Sequence, residues 1–320
     1  MTWLVHSAVL LTSALAADAC DEVSAKRFEW KYRSGERLAY STDVATTITL
    51  DLAGAKLSTK GSQSIQLTSE VRKVAADGTA QSARTIERMT MRIEGPAAAR
   101  GLNYDSAAPH PPHALDVLVG IEVLSRINAQ GEVLTSDGPR KLADAMRQAP
   151  RMAEMLHEML TGDGLRPLTG ETDLVFPDSS LAPGDTWKIK RRASDPLLGP
   201  QTVDMTYEYI GMVARGGRDL DEFEFFLDVT PDSPAQRAPG RKVRDQQYKG
   251  TAYFDSAAGY LVESTATRTM QAETTVAGQN VLQHIQTVIT TSVTPVSASS
   301  ESGDKPSRAK RRRAGARAKP

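Results

Sequence analysis

The sequence predicts a mainly β protein: a large curled antiparallel sheet or half-barrel built from two similar halves, with a helical pair inserted between them. Three observations carry this reading. Long segments alternate apolar and polar residues with period two. Two segments far apart in the chain repeat one pattern. Helical spacing is convincing in a single stretch.

The strands come first in the chain. Over 38–52, Leu38, Tyr40, Val44, Ile48, Leu50 and Leu52 fall on one face. Ile65, Leu67 and Val71 do the same, and Met89, Met91 and Ile93 follow. Later come Val203, Met205, Tyr207 and Tyr209, then Phe223, Phe225, Leu227 and Val229. Segments 260–275 and 280–294 are rich in Thr and Val. Such β-branched residues suit a pleated, half-buried surface. One polar face on strands this long implies an antiparallel sheet, wetted on one side and strongly twisted. A doubly wound α/β fold is excluded by the lack of strand–helix alternation.

The helical stretch opens at Asp137-Gly138-Pro139 and runs to Thr161. Leu142, Met146, Met152, Met155, Leu156 and Met159 supply apolar faces at helical spacing. Pro150 interrupts it, so two short helices are expected, about 139–148 and 151–161. The four methionines are expected in the core against the sheet. An adaptable binding surface is the second reading. Residues 95–117 and 231–243 are Pro/Gly/Ala-rich and read as long loops.

The repeat links Ile65-Gln-Leu-Thr-Ser-Glu70 with Val203-Asp-Met-Thr-Tyr-Glu208, each followed by Val-Ala and a Gly turn. Upstream, Gly35-Glu36 with Tyr40 parallels Gly184-Asp185 with Trp187. Downstream, the Asn128–Gly131 turn parallels the Asp255–Gly259 turn, both typical of hairpins. The expected organisation is a signal peptide at 1–19, an N-terminal β half at 20–136 and a helical connection at 137–169. A C-terminal β half follows at 170–296, then a basic tail at 297–320. The halves are expected to share one sheet.

Charge is uneven. The chain has 320 residues with 39 basic and 39 acidic side chains. Its last 20 residues hold eight cations and two acids, so the tail carries +6 and residues 1–300 carry −6. The tail lacks aliphatic periodicity and is expected to stay disordered. Lys310, Arg311, Arg312, Arg313 and Arg317 are candidates for non-specific contact with a polyanion. No aromatic residue lies there, which argues against base stacking and sequence-specific nucleic-acid binding.

Residues 3–16 form an apolar run too short to cross a bilayer, followed by small residues that fit a signal-peptidase site. Export to the periplasm, cell surface or medium is expected. Cys20 is the single cysteine, so no intrachain disulfide forms. Its position raises a lipid anchor, although Ala17 and Asp18 make a poor lipobox.

Catalytic chemistry finds little support. His110-Pro-Pro-His113 has suggestive spacing for a metal, with Asp105 or Asp116 as further ligands, but an exposed Pro-rich loop is the simpler reading. His157 sits on the helical stretch and His284 on a Thr-rich strand. Glu70 and Glu208 recur at matching repeat positions, which invites comparison with a glycosidase pair. A wet strand face explains them better. Trp30 and Trp187 read as core anchors. No nucleophile elbow, P-loop or dinucleotide fingerprint occurs, and no cofactor is implied.

Glu29-Trp30-Lys31-Tyr32 with Gly35 and Tyr40, Asn103–Ser106, Phe176-Pro177 leading to Pro183-Gly184-Asp185-Thr186-Trp187, and Gly250–Asp255 with Gly259 resemble a family of exported bacterial proteins. It is a β-rich "domain of unknown function" family, abundant in planctomycete-type bacteria. The resemblance covers nearly the whole mature body and not the tail. It implies export and a β-rich fold, with no catalytic residue and no cofactor. The expected function is a non-catalytic cell-envelope protein that binds or scaffolds an envelope component. The alternative is a carrier of a lipid or other apolar ligand in a half-barrel cavity lidded by the helices. A hydrolase is the third reading.

Overall fold

In the computed structural model the described residues are 25–52, 55–96, 102–138, 140, 144, 174–195, 199–231, 241–276 and 279–296. They form twelve strands: β1 (Arg37–Leu52), β2 (Ala55–Val74), β3 (Ala80–Glu94), β4 (Leu102–Asp105), β5 (Glu122–Ile127), β6 (Val133–Ser136), β7 (Thr186–Asp195), β8 (Gly199–Arg215), β9 (Arg218–Pro231), β10 (Arg241–Asp255), β11 (Tyr260–Val276) and β12 (Gln279–Pro295). All belong to one antiparallel sheet, in the order β6-β5-β3-β2-β1-β12-β11-β10-β9-β8-β7, with β4 added to β3. The sheet is open. Its first half grows outward from β1, and its second half grows inward from β7 to β12. The two halves meet where β1 pairs β12 from Leu38↔Pro295 to Asp51↔Leu282.

The expected helical pair falls almost wholly outside the described residues, as do the four methionines on it, His157, Cys20 and the basic tail. The stretch read as a loop over 95–117 differs in part. It contains β4, whose Tyr104 is buried, and a 3-10 turn at Ala114–Leu118. Similarly, 241–243 belong to β10.

The repeated segments occupy equivalent places. Gly35 donates its N–H to Val71 at 2.8 Å, and Val71 donates to Glu36 at 2.9 Å. Gly184 donates to Tyr209 at 2.7 Å, and Tyr209 donates to Asp185 at 3.0 Å. A bulge follows immediately in both: the register shifts between Val71 and Lys73 on β2, and between Tyr209 and Gly211 on β8. β1-β2-β3 and β7-β8-β9 thus share these entry hydrogen bonds and one bulge position, while β2–β3 carries a further register shift between Gln66 and Leu67.

One face of the sheet carries the core. Phe28, Tyr207, Phe223, Phe225 and Phe254 are essentially inaccessible, with Trp30, Phe176 and Tyr209 against them. Each such ring contributes about 1.5–3 kcal/mol on burial. A second cluster joins Ile65, Ile86, Met89, Met91 and Val123 to Leu115 and Leu118 of the 3-10 turn. Two extended segments, 25–32 and 174–181, cross one end of this inner face. They are tied to each other by reciprocal Lys26–Leu181 backbone bonds of 2.8 and 2.9 Å, and to the hairpin turns by Trp30 N–H to Ala129 and Phe176 N–H to Gln130.

Candidate functional site

Strand alternation divides the inner face into two zones. The zone under the crossing segments is filled by rings. Phe28 lies 5.1 Å from Phe223 and 4.9 Å from Tyr209, and Phe176 lies 4.9 Å from Phe254. Trp187 stacks on Tyr207 at 4.9 Å and donates its indole N–H to the Val175 carbonyl. Pairs of this kind add about 0.5–1.5 kcal/mol beyond their area.

Beyond the rings the inner face turns aliphatic and is less covered. Val44, Ile48 and Leu50 of β1 stand opposite Ile289, Ile285 and Gln283 of β12. All six are half-buried. Leu57 of β2 faces Leu50 and is 39% exposed. Met270, Ala272 and Val281 complete this zone and are buried. Hydroxyl pairs stitch the central strands between the aliphatic rows: Thr42 to Thr291 at 3.1 Å and Thr46 to Thr287 at 3.2 Å. The hydroxyls of each pair bond one another, and Arg268 of β11 stands in the same row as Thr46 and Thr287, so the aliphatic rows alternate with polar ones.

Three polar clusters tie the crossing segments and loops to the sheet. In the first, Lys26 Nζ donates to Asp221 at 2.8 Å and to Ser256 at 2.5 Å. Tyr209 donates to the other Asp221 oxygen at 2.8 Å. Burial and the bond to Asp221 push the Tyr209 phenol above its ordinary range. A serine beside a lysine resembles a Ser–Lys nucleophile pair. Here Lys26 Nζ is held 2.8 Å from a carboxylate that is 2% exposed, which ties the pair into a network joining the crossing segment to β9.

The second cluster is the His-Pro-Pro-His loop. His113 Nδ1 accepts the Leu115 N–H at 3.3 Å, and Asp116 accepts the His113 N–H at 2.8 Å. This is a capping box at the start of the 3-10 turn. Asp116 also accepts from Tyr104 at 2.9 Å, and His110 Nε2 lies 3.4 Å from it. Burial pushes the Asp116 carboxyl up, but its bonds from His113 and Tyr104 outweigh that and hold it below the usual carboxylate range. Asp105 is held low by Arg88, which grips both its oxygens, and by the Ala107 N–H. The suggestive spacing therefore builds a loop that clamps Leu115 and Leu118 over the second core cluster. Among the described residues no three of His, Cys, Asp and Glu converge in an arrangement able to hold a metal ion.

The third cluster surrounds Arg84, which is 3% exposed and lies over the Tyr40 ring at 5.1 Å. Ser69 and Ser82 bond each other beside it at 2.8 Å. A void of about 20 Å³ there has room for one water.

Glu70 and Glu208 lie on β2 and β8, six strand steps apart. At roughly 4.8 Å per step they cannot act as a pair. His284 is exposed on the outer face, opposite Thr49. It borders an open groove of about 290 Å³ lined by Thr47, Thr49, Thr269, Gln271 and Gln286. A similar groove of about 280 Å³ runs past Ser41, Gln66, Thr68 and Thr294. Hydroxyl and amide side chains predominate in both, with Asp245, Met270 and Ile285 also bordering the first and Tyr40, Leu67 and Glu87 the second. No described helix is long and apolar enough to cross a membrane.

Fold and site together define an open single-sheet β protein with one aromatic-filled end and one aliphatic end on the same face. No family model matches the chain, and no curated protein matches it. Among solved structures it is similar to lipovitellin, in a structure described as lipid–protein interactions in lipovitellin. The identity is 12% and the TM-score 0.47, over 84% of this chain and 26% of that one. The chain thus spans about a quarter of that protein. It is also similar to DynF from the dynemicin biosynthesis pathway of Micromonospora chersina (7% identity, TM-score 0.23, 84% of this chain and 89% of that one). OccK7 of Pseudomonas aeruginosa matches at 8% identity and TM-score 0.23, over 82% of this chain and 100% of that one.

Proposed function

We propose that this chain is an exported, non-catalytic cell-envelope protein that holds an apolar ligand against the inner face of its sheet. The observation that carries the reading is the half-covered aliphatic zone of Val44, Ile48, Leu50, Ile285 and Ile289, beside Leu57. A binding surface of this kind is concave, mostly apolar and few-sited in its polar groups. Membership of the exported domain-of-unknown-function family belongs to the same proposal, as do the signal peptide and contact of the basic tail with a polyanion.

The test is binding of a polarity-sensitive naphthalene sulfonate dye and its displacement by a long-chain fatty acid. Ile48→Lys and Ile285→Lys are expected to weaken the dye at least tenfold while the circular dichroism stays β-type. Unchanged binding in both folded variants overturns the proposal.

A second reading, scaffolding of another envelope protein, is favoured by the open edge at β7.

A further inference from the structure

We infer that the free edge of β7 is a docking strand for an extended acidic segment of another protein. This surface is separate from the aliphatic zone, and its failure would leave the apolar-ligand proposal standing.

The repeat supplies the first argument. β7 is the counterpart of β1, with the same Gly-acid entry and the same hydrogen bonds to the following strand. β1 uses both edges, pairing β2 on one side and β12 along its whole length on the other. β7 pairs β8 from Thr186↔Glu208 to Asp195↔Gly199, and among the described residues no strand covers its second edge. The sheet's other end strand, β6, has four residues and offers little to pair with. β7 has ten, enough for a full ladder of main-chain bonds.

Charge supplies the second argument. Within those ten residues stand Lys188, Lys190, Arg191 and Arg192, against the single acid Asp195. Residues 1–300 as a whole carry −6, so this strand is a basic island on an acidic body. Lys190 has a loose ion pair with Asp204 at 3.5 Å, whereas Lys188, Arg191 and Arg192 have none among the described residues. Alternation puts Lys188, Lys190 and Arg192 on the outer face, all exposed, and Trp187, Ile189 and Arg191 on the inner one. An incoming strand with acids at every second position would face three cations in register. Cross-strand opposite-charge pairs favour the ladder by about 0.2–1 kcal/mol each.

The same cations select the occupant. Edge lysines guard a sheet against pairing with itself. A second copy of β7 would place cation against cation, and the chain's own basic tail would be repelled likewise. An acidic strand meets neither obstacle, which is how repulsion sharpens specificity.

The probe is a fluorescein-labelled (Glu-Val)5 peptide, titrated with the purified full chain at low salt and read by anisotropy. Binding is expected, with amide exchange slowed within 186–195. The triple variant Lys188→Glu, Lys190→Glu, Arg192→Glu is expected to lose at least tenfold in affinity, and the Lys188→Arg, Lys190→Arg, Arg192→Lys variant to keep it. A (Lys-Val)5 peptide should not bind, and backbone N-methylation of the acidic peptide should cost at least tenfold. Three results overturn the inference. These are equal binding by the N-methylated peptide, equal binding to a folded charge-reversed variant, or self-association of the native chain that charge reversal abolishes.

Discussion

A side chain on Gly131 would collide with Trp30: its Cβ would stand 2.3 Å from the indole nitrogen and 2.9 Å from the Leu174 carbonyl oxygen. Gly131 holds φ at +90°, a conformation that other residues adopt under strain. Its counterpart in the second half, Gly259, sits at φ +82° with a virtual Cβ 2.2 Å from that of Lys31. The two repeated turns thus close on consecutive residues of one crossing segment. Gly131→Ala and Gly259→Ala are each expected to destabilise the protein by about 2–4 kcal/mol through backbone strain and overpacking. Urea unfolding checks this, and a shift in midpoint equivalent to less than about 1 kcal/mol would contradict it.

The buried carboxylate of Asp221 depends on Lys26 and Tyr209. Replacing Lys26 with Met leaves the carboxylate with one hydroxyl partner, at a cost of about 2 kcal/mol, below the range for fully buried pairs because Lys26 is partly exposed. Tyr209→Phe is expected to cost about 1 kcal/mol. Combining Lys26→Met with Asp221→Asn should recover part of the loss. A double variant no better than Lys26→Met contradicts this account of the network.

The loop over the second core cluster is expected to loosen in acid. Arg88 and the Ala107 N–H hold Asp105 below the usual carboxylate range, and the net effect on Asp116 is in the same direction. A carboxylate with a depressed folded value contributes stability above its unfolded value of about 4. That contribution is lost as pH falls through and below that value. Amide exchange at Leu115 and Leu118 should therefore accelerate, relative to its intrinsic rate, as pH drops from about 5 toward 3. Asp116→Asn should flatten the dependence. A profile unchanged by that substitution contradicts the assignment.

The basic tail carries a prediction of its own. Binding to heparin is expected to fall with added salt and to disappear when residues 305–320 are deleted. Equal retention of the truncated protein on a heparin column contradicts it.

The long strands were legible because one wetted face imposes period two, as in Val203–Tyr209 and Phe223–Val229. β4 was not, because its four residues sit in a Pro/Gly/Ala-rich stretch where tertiary pairing with β3 decides the conformation. The union of Tyr40 with Val293 has no local signal, and neither has the Lys26–Asp221 pair, 195 residues apart in the chain. His113 illustrates a different failure. Its spacing to His110 resembles a metal motif, while His113-Ala-Leu-Asp116 lacks the Ser/Thr-x-x-Glu pattern that signals the capping box it forms. The aliphatic zone was visible only as alternation in β1 and β12. That its side chains stay half-covered follows from how far the crossing segments reach.

Native mass spectrometry of the protein, purified from its native host without detergent, tests the central claim most directly. The account predicts a bound amphiphile of several hundred daltons, released by organic extraction and taken up again from lipid vesicles by the native chain but not by Ile48→Lys. A protein that emerges at its polypeptide mass alone, and takes up no lipid on incubation, contradicts it.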